Sequence, residues 1–256
     1  MNHIEIYDSA RKKNIYSKQW PSKWEELTRT QFINVVQTLF ENEDKDSARA
    51  KLTYVFLKRP LISLKLTYGE AFELGDTLRF LYGENPISLK SFLPKIRPVI
   101  FIFTGPSDNF VNLTAWQFAC AEMAFEKAIK TPSDLNCLAA LGACLYRPFW
   151  RKKFDDSILP GLNRSLLKLK PNQLHAIFFN YMMMRGALAR QYPNVFNGGD
   201  KKSKHKFGWI AIIQKLPGDV FGTLDKRSDE PLHNVLMHLE MTAIEAAELE
   251  RKTKKK

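Results

Sequence analysis

The sequence predicts a mainly α-helical protein with a small β element, and three observations lead to that prediction. A six-residue helix start signal, Leu27 to Phe32, recurs at Leu113 to Phe118. Apolar residues after each copy recur at intervals of three and four, which is the period of a helix with one buried face. Alternating apolar and polar residues, the pattern of a half-buried strand, are confined to short stretches. We therefore expect two related helical hairpins, further helices, and β structure at about residues 3–17 and 99–103.

The N-terminal residues predict a β-hairpin followed by a capped helix start. His3 to Tyr7 alternates apolar and polar side chains, and Asn14 to Tyr16 can pair with it across a polar turn. The segment Ser22 to Glu25 has the pattern of a capping box that leads into the first helical unit. We expect Trp20 and Trp24 to cover the core of this region rather than to bind nucleic-acid bases.

The repeated start signal has a physical basis in helix capping. Thr28 and Thr114 are placed to accept a hydrogen bond from the third helical amide, while Gln31 and Gln117 can reach back to the backbone N–H of the cap. A weaker third copy spans Leu169 to Leu174, with a proline at the first helical position. Each cap contributes about 1 kcal/mol to stability. These residues are structural devices and carry no chemistry.

Each of the first two start signals opens a predicted helical hairpin. An acidic run at Glu41 to Asp46 separates two apolar stripes in the first hairpin, and Thr131-Pro132 restarts the helix in the second. The apolar positions of the first are Phe32, Val35, Val36, Leu39 and Phe40, then Leu52, Val55 and Phe56. Those of the second are Phe118, Ala121, Phe125 and Ile129, then Leu135, Leu138, Ala139 and Leu145. Two copies are too few for a solenoid, which needs at least three repeats.

The remaining periodic segments predict further helices and one strand. Tyr68 to Leu81 has a helical apolar side, and Val99 to Phe103 is a continuous apolar run that predicts the best strand of the protein. Pro171 to Arg190 is the most hydrophobic predicted helix. Met182 to Met184 cannot all face one side of that helix, so this cluster lies either in a core or partly on an adaptable binding surface.

A glycine-containing basic stretch divides the chain. We expect a helical body with a small β element at residues 1–193, a basic linker at residues 194–206, and a C-terminal helical segment with a basic tail at residues 207–256. The two amphipathic helices expected in the last segment are short. Such helices are marginal as an independent core, so the segment must dock on its own body, on a second copy or on a partner.

Composition excludes several classes of protein. Hydrophobic residues at 45% and aromatic residues at 12% are typical of a folded globular chain rather than a disordered one. No apolar run approaches the roughly 18 residues needed to span a bilayer, and no signal-peptide core follows Met1, so we expect a cytoplasmic protein with no membrane partner. Cys120, Cys137 and Cys144 fit no zinc or redox spacing and are expected to be reduced core residues. The net charge of +12 permits nucleic-acid or acidic-partner binding without demonstrating either.

No motif indicates an enzyme. Thr104 to Asp108 lacks the lysine and hydroxyl of a phosphate loop, and Asp155-Asp156 is expected to be a solvated loop because no histidine accompanies it. His233 and His238 are five residues apart, about 140° around a helix, and so do not share a metal-binding face. We therefore expect no catalytic, cofactor-binding or metal-binding residues and no cofactor. A site assembled from residues far apart in sequence need not produce a local motif.

Several segments resemble uncharacterised proteins of phage and prophage structural gene clusters. They are Phe103 to Asp108, Leu113-Thr114, Gln117-Phe118, Ala121-Glu122 and Leu145 to Pro148. A second set resembles the C-terminal part of tail-assembly-chaperone-like proteins, namely Gly208-Trp209, Ile212, Phe221-Gly222, Pro231-Leu232, Val235-Leu236 and Leu239-Glu240. The resemblance rests on packing and capping positions from about Trp24 onward and supplies no catalytic residue. It implies a morphogenesis role in the host cytoplasm, in which the protein holds another tail component in solution.

Two functions from different classes follow from these observations. The first is a non-enzymatic phage morphogenesis factor, similar to a tail-assembly chaperone, that binds a tape-measure-type helical client by helix-in-groove packing, with self-association left open. Its candidate partner-binding residues are Trp209, Ile212, Ile213, Leu216, Leu232, Val235, Leu236 and Leu239. The alternative is a basic nucleic-acid-binding module of a phage or mobile element, with phosphate contacts from Lys201, Lys202, Lys204 and Lys206. Because no aromatic residue lies inside that basic run, we expect such binding to be weak and non-specific.

Overall fold

The computed structural model describes residues 1–8, 12–42, 44–58, 66–83, 86–197 and 208–253. These residues are mainly α-helical with two small β-sheets, which confirms the predicted fold class. The chain divides into two compact units, Met1–Ser88 and Leu89–Lys256, so the first unit ends well before the expected body boundary at residue 193. Most of the expected linker, residues 198–206, lies outside the described residues.

The first unit begins with the predicted β-hairpin. Strands β1 (Asn2–Asp8) and β2 (Lys13–Trp20) are antiparallel, with a register shift after Ile6. Trp20 is buried, and its Nε1–H donates to the Tyr16 hydroxyl at 2.8 Å. The hairpin prediction is thereby confirmed, as is the expectation that Trp20 covers a core.

The first predicted helical hairpin consists of α1 (Arg29–Glu41) and α2 (Lys45–Leu57). The Gln31 amide donates to Thr28 Oγ1 at 3.3 Å, and Gln31 Oε1 accepts from the Thr28 amide at 2.9 Å, which confirms the first start signal. Asp44 caps α2 by accepting from the amides of Asp46 and Ser47. The apolar positions of α1 point inward, since Phe32, Val35 and Val36 are fully buried.

The polar cap that precedes α1 differs from the predicted pairing. The Ser22 amide donates to Glu26 Oε2 at 2.7 Å, one residue beyond the Glu25 of the predicted box. A 3-10 turn at Trp24–Glu26 accounts for the shift, because it tightens the chain and brings residue 26 back over Ser22. Trp24 is buried and meets Phe32 edge to face at 6.1 Å, so it covers the core as expected.

The first unit ends with α3 (Tyr68–Gly75), which continues as a 3-10 helix at Asp76–Leu81. The predicted helix over residues 68–81 is thereby confirmed, with a change of helix type at its middle. Its N-terminus carries a capping box in addition to the three predicted start signals, in which Thr67 Oγ1 accepts from the Glu70 amide at 3.3 Å. Thr53 of α2 donates to the Ala71 carbonyl at 2.7 Å, so a buried hydrogen bond joins the two helices.

The second unit contains the second predicted hairpin and a long central helix. Its helices are α4 (Ala115–Ala128), α5 (Leu135–Leu145), α6 (Leu159–Leu166), α7 (Pro171–Gln191), α8 (Pro193–Asn197), α9 (Gly208–Gln214), α10 (Gly218–Phe221), α11 (Leu224–Asp229) and α12 (Leu232–Thr253). At the third start signal, Gln173 Oε1 accepts from the Lys170 amide at 3.4 Å. Met183 and Met184 are buried and Met182 is half-buried, so the methionine cluster belongs mainly to the core.

The Gln117 side chain has a different role from the one its start signal predicts. Thr114 Oγ1 accepts from the Gln117 amide at 3.2 Å, as expected for the cap. The Gln117 side chain instead donates from Nε2 to the carbonyl oxygens of Cys144 at 2.9 Å and Leu145 at 3.4 Å. It thereby satisfies carbonyls at the end of α5, which an α-helix leaves without internal donors. In the second copy of the signal, the threonine caps its helix as predicted, whereas the glutamine side chain joins α4 to the end of α5.

A buried ion pair lies between α4 and α7. Glu122 is almost fully buried and accepts from Arg185 Nε at 2.7 and 3.0 Å. The Tyr181 hydroxyl donates to the same carboxylate at 2.7 Å. Two donor hydrogens, the Arg185 Nε–H shared by both carboxylate oxygens and the Tyr181 O–H, offset the cost of removing the charge of Glu122 from water. Burial, together with the Glu122 charge, raises the pKa of Tyr181, so this hydroxyl keeps its proton.

The predicted strand at residues 99–103 is largely wrong. A three-stranded antiparallel sheet is present, but β4 covers only Phe103–Thr104, between β3 (Lys95–Ile96) and β5 (Arg147–Pro148). Residues 99–102 form a bend, and their side chains are exposed. A continuous apolar run predicts a strand buried on both faces, whereas these four side chains are 45–68% exposed.

Candidate functional site

The most distinctive surface of the second unit is a group of large apolar side chains that are exposed to water. We call it the aromatic patch, and its exposed fractions are Val99 46%, Ile100 68%, Phe101 54%, Ile102 45%, Phe149 65% and Trp150 51%. Monomeric proteins seldom expose a contiguous apolar group of this kind, and such groups mark interaction sites. Four of the five apolar residues that predicted a strand therefore make up two-thirds of the candidate site.

The small sheet brings the two halves of the aromatic patch together. Phe103 pairs with Pro148 across β4 and β5, and just outside the sheet the Phe149 amide donates to the Ile102 carbonyl at 3.1 Å. Arg97 Nε donates to the Ile100 carbonyl at 2.9 Å, which ties the bend back to its own start. The patch is thus built on two loops whose backbones are fixed by hydrogen bonds.

The three aromatic rings of the patch contact one another in sequence. Phe101 and Trp150 have ring centroids 5.0 Å apart with planes at 85°, and Phe149 and Trp150 have centroids 5.1 Å apart with planes at 83°. These edge-to-face pairs have the favoured aromatic geometry. A cavity of about 320 Å³ adjoins them, lined by Phe101, Trp150, Ile158 and Leu162 among others. The patch therefore offers both a convex aromatic surface and a neighbouring apolar depression.

The segments that form the patch are strongly basic. Residues 95–102 and 147–153 contain no acidic residue and six basic ones, namely Lys95, Arg97, Arg147, Arg151, Lys152 and Lys153. Arg151 pairs with Asp155 at 2.9 Å and Lys153 with Asp229 at 2.7 Å. These two ion pairs involve two of the six basic residues. The other four favour an acidic partner, which would also bury the apolar side chains.

The eight residues predicted to bind a partner instead pack within the second unit. Five of them are buried, namely Ile213, Leu216, Leu232, Val235 and Leu236. The other three, Trp209, Ile212 and Leu239, are half-buried. Ile213, Leu216 and Val235 form one cluster with Ala115 and Ala119 of α4. The prediction is corrected for the buried five, because apolar side chains of a short segment gain more from docking on their own unit than from remaining in water.

Backbone hydrogen bonds fix this docked segment. The Ala115 amide donates to the Glu230 carbonyl at 2.9 Å, and the Leu232 amide donates to the Leu113 carbonyl at 3.0 Å. The start of α12 is thereby joined to the start of α4. Of the three possibilities that the sequence leaves open for the C-terminal segment, the structure shows docking on its own body.

The lysines of the alternative prediction, Lys201, Lys202, Lys204 and Lys206, lie outside the described residues. The basic tail is described only to Thr253, where α12 ends. The helix therefore extends into the first residues of the basic tail.

The three cysteines are free and line a common cavity of about 400 Å³ between α4 and α5. Burial raises the pKa of Cys120 to about 11 and that of Cys144 to about 12. Both thiols are therefore protonated near neutral pH, and a protonated thiol is a poor nucleophile. Cys144 is a core residue as predicted, whereas Cys120 and Cys137 are half-buried.

The other polar groups considered in the sequence have structural partners. Asp155 accepts from the Ser157 amide, and Asp156 accepts from Trp116 Nε1. His233 lies 2.6 Å from the Asn109 carbonyl through Nε2, while His238 packs edge to face on Phe221. Within the described ranges, no three His, Cys, Asp or Glu side chains come together in a way that could hold a metal ion.

No known protein-family model matches this chain, and comparisons with curated proteins and with solved structures found no match. Among the helices of the described residues, none combines the length and the apolar character needed to cross a membrane.

The sequence contains one feature that is compatible with an exposed run. Pro98 directly precedes Val99, and proline in a sheet is found on edge strands, at the first residue of a strand or at bulges, so an edge position was open to this run. No local sequence pattern predicts that Phe149 and Trp150 lie beside that run. Their position depends on pairing between segments more than 40 residues apart.

Proposed function

We propose that this protein is a non-enzymatic assembly factor that holds a partner protein through the aromatic patch. The observation that supports the proposal is the exposure of six large apolar side chains on two loops fixed by one small sheet. Burying a side chain of this size contributes about 1.5–3 kcal/mol relative to leaving it exposed. A partner that covers the patch gains this free energy, and aromatic side chains are the residues that most often dominate binding at protein interfaces.

The chemistry of the patch defines the partner. Apolar residues must fill its centre, and acidic residues must face basic residues of the segments that form it, such as Lys95 and Lys152. An amphipathic helix with an apolar stripe and flanking glutamates meets both requirements. The proposed partner is therefore a helical segment with acidic flanks.

The sequence resemblance to phage structural proteins extends the proposal to a biological role. A tail-assembly chaperone in the host cytoplasm must hold a long helical client before the tail is built. A fixed apolar surface with basic margins is suited to such a client. We therefore propose a tape-measure-type tail component as the partner.

Nucleic-acid binding is the second candidate, and one observation favours it. Phe149 and Trp150 stand beside Arg151 and Lys152, so bases could stack on the rings while phosphates meet the cations. The aliphatic half of the patch has no flat face for stacking, however, and would stay in water. A protein partner accounts for the whole surface, whereas a single-stranded nucleic acid accounts for half of it.

The test uses a synthetic helical peptide with a leucine stripe and glutamate flanks, and a second peptide with lysine flanks. The double variant Phe101→Ser/Trp150→Ser should bind the acidic peptide at least about tenfold more weakly, because it loses at least 1.4 kcal/mol of apolar burial. Fluorescence anisotropy measures the affinity. The control variant Val111→Ser/Ile129→Ser removes two exposed apolar side chains elsewhere on the same unit and should bind as the wild type does.

Three outcomes would contradict the proposal. Equal binding of the acidic and basic peptides would remove the charge argument, and unchanged binding by the patch variant would remove the patch itself. Tighter binding of a single-stranded oligonucleotide than of the acidic peptide, with loss in the same patch variant, would favour the nucleic-acid function.

A further inference from the structure

The outer face of the last helix carries a second group of exposed apolar side chains. Met237, Met241 and Ile244 follow one another at intervals of four and three residues, so they form a single stripe on α12. Their exposed fractions are 55%, 56% and 44%. We call these three residues the outer stripe.

A different set of side chains holds α12 to its own unit. Leu232, Val235 and Leu236 are the buried residues of this helix, and Val235 packs in the cluster with α4. At 100° per residue, the centre of the outer stripe lies roughly opposite the centre of that buried face. The helix therefore has two apolar faces, one buried against α4 and one exposed as far as the described residues show.

The middle of this helix is acidic, unlike the chain as a whole. Residues 237–250 contain four glutamates and neither lysine nor arginine, in a chain whose net charge is +12. Glu240 is already used, since its carboxylate accepts from the Asn194 and Val195 amides of α8. Glu245 and Glu248 are exposed. At 100° per residue, Glu248 lies in line with the outer stripe and Glu245 lies beside it.

The outer part of α12 thus has the chemistry of the proposed partner, an apolar stripe flanked by glutamates. It does not cover the aromatic patch of its own chain, because both surfaces are exposed in the same compact unit. The helix is also fixed at its start by the hydrogen bond between the Leu232 amide and the Leu113 carbonyl. Contact between the two surfaces therefore requires two copies of the chain.

We infer that α12 of a second copy docks its outer stripe on the aromatic patch, so that the protein self-associates through a helix-to-patch contact. This inference rests on the proposed function, because self-association would occupy the surface that the client needs. A client with acidic flanks then competes with the second copy. The self-associated form would keep the apolar patch out of water until a client displaces the helix.

The experiment measures molar mass against concentration by light scattering, using the full chain. The wild type is expected to exceed the monomer mass as concentration rises, and the acidic peptide is expected to lower that mass. The variant Glu245→Lys/Glu248→Lys should weaken self-association by about tenfold or more, since it places like charges on both sides of the contact. Both positions are exposed, so circular dichroism should show an unchanged fold.

A charge exchange tests the contact directly. Lys95→Glu/Lys152→Glu should also weaken self-association, whereas combining these two changes with Glu245→Lys/Glu248→Lys should restore it, because the opposite charges then face each other again. The control Glu73→Lys/Asp225→Lys changes the net charge by the same amount as the helix variant, at exposed positions outside the patch and the outer stripe. It should leave self-association unchanged.

The possible failures are distinguishable. A chain that stays monomeric at all concentrations while it still binds the acidic peptide through the patch would overturn this inference and leave the proposed function standing. Self-association that persists in Phe101→Ser/Trp150→Ser, or no recovery in the fourfold charge exchange, would show that the copies meet through another surface. If the wild type self-associates but does not bind the acidic peptide through the patch, the proposed function would instead be overturned.

Discussion

At the scale of single residues, burial controls the chemistry of the Cys144 thiol. Its side chain is 5% exposed, and removal from water raises its pKa from an ordinary value of 9.0 to about 12, with a smaller contribution from Cys120. The unfolded chain releases this proton near pH 9, whereas the folded chain holds it. The contribution of this thiol to the free energy of unfolding is therefore fully present below pH 9 and is lost as pH rises towards 12.

We expect the free energy of unfolding to fall between pH 9 and pH 11, and to fall less steeply in Cys144→Ala. The pH slope of the free energy of unfolding should differ between the two proteins by nearly the value for one bound proton. The reason is that one thiol that titrates differently in the folded and unfolded states has been removed. Urea denaturation at several pH values measures the slope. Cys120→Ala is a graded comparison, since the pKa of Cys120 is raised only to about 11. Identical slopes in Cys144→Ala and the wild type would contradict this account.

At the scale of secondary-structure elements, the contact between α2 and α3 depends on a glycine. A Cβ atom added at Gly75 would lie 2.6 Å from Arg49 Cγ and 2.9 Å from the Arg49 carbonyl oxygen. The arginine side chain can move aside, but the carbonyl belongs to the backbone of α2. The two helices can approach this closely only because residue 75 has no side chain.

Gly75→Ala should therefore destabilise the first unit by about 1–3 kcal/mol, the usual cost of overpacking. The matched control is Gly69→Ala in the same helix, where an added Cβ meets nothing within 4 Å. That control should be neutral or stabilising by up to about 1 kcal/mol, because alanine favours helix over glycine. Chemical denaturation gives both values. Equal effects of the two substitutions would mean that helix propensity, and not the close approach, decides the outcome.

At the scale of the whole molecule, the C-terminal helices complete the second unit. Trp209 meets Phe118 edge to face at 5.1 Å, and Ile213 and Val235 cover Ala115 and Ala119. Removal of these residues would expose the face of α4 that they cover. The segment is therefore part of a core, while the outer stripe of α12 stays exposed.

Deleting residues 208–256 should destabilise the second unit, because several buried side chains lose their partners at about 1.5–3 kcal/mol each. Ending the chain after Leu239 should be milder, since the buried positions of α12 all precede that residue. Thermal unfolding of the two truncated chains measures the difference. If the longer deletion left the unfolding of the second unit unchanged, the C-terminal helices would be docked without contributing to its stability.

The sequence by itself determined the features that depend on neighbouring residues. The cap at Thr28, the hairpin of β1 and β2, and the helical period of α1 each involve atoms within a few residues or across one turn. Such local interactions are present in the pattern of residue types. The fold class and the two helical hairpins could therefore be predicted.

Only the tertiary structure decided which apolar residues are buried and which are exposed. Val99 to Ile102 has the composition of a buried strand and is exposed, while Leu236 in the short C-terminal segment is fully buried. The Gln117 side chain likewise donates to a carbonyl 27 residues away, instead of accepting from the backbone N–H of its own cap. The physical reason is that burial depends on which distant segments cover a residue. Periodicity shows that a face is apolar, but the partner of that face is chosen by the packing of the whole unit.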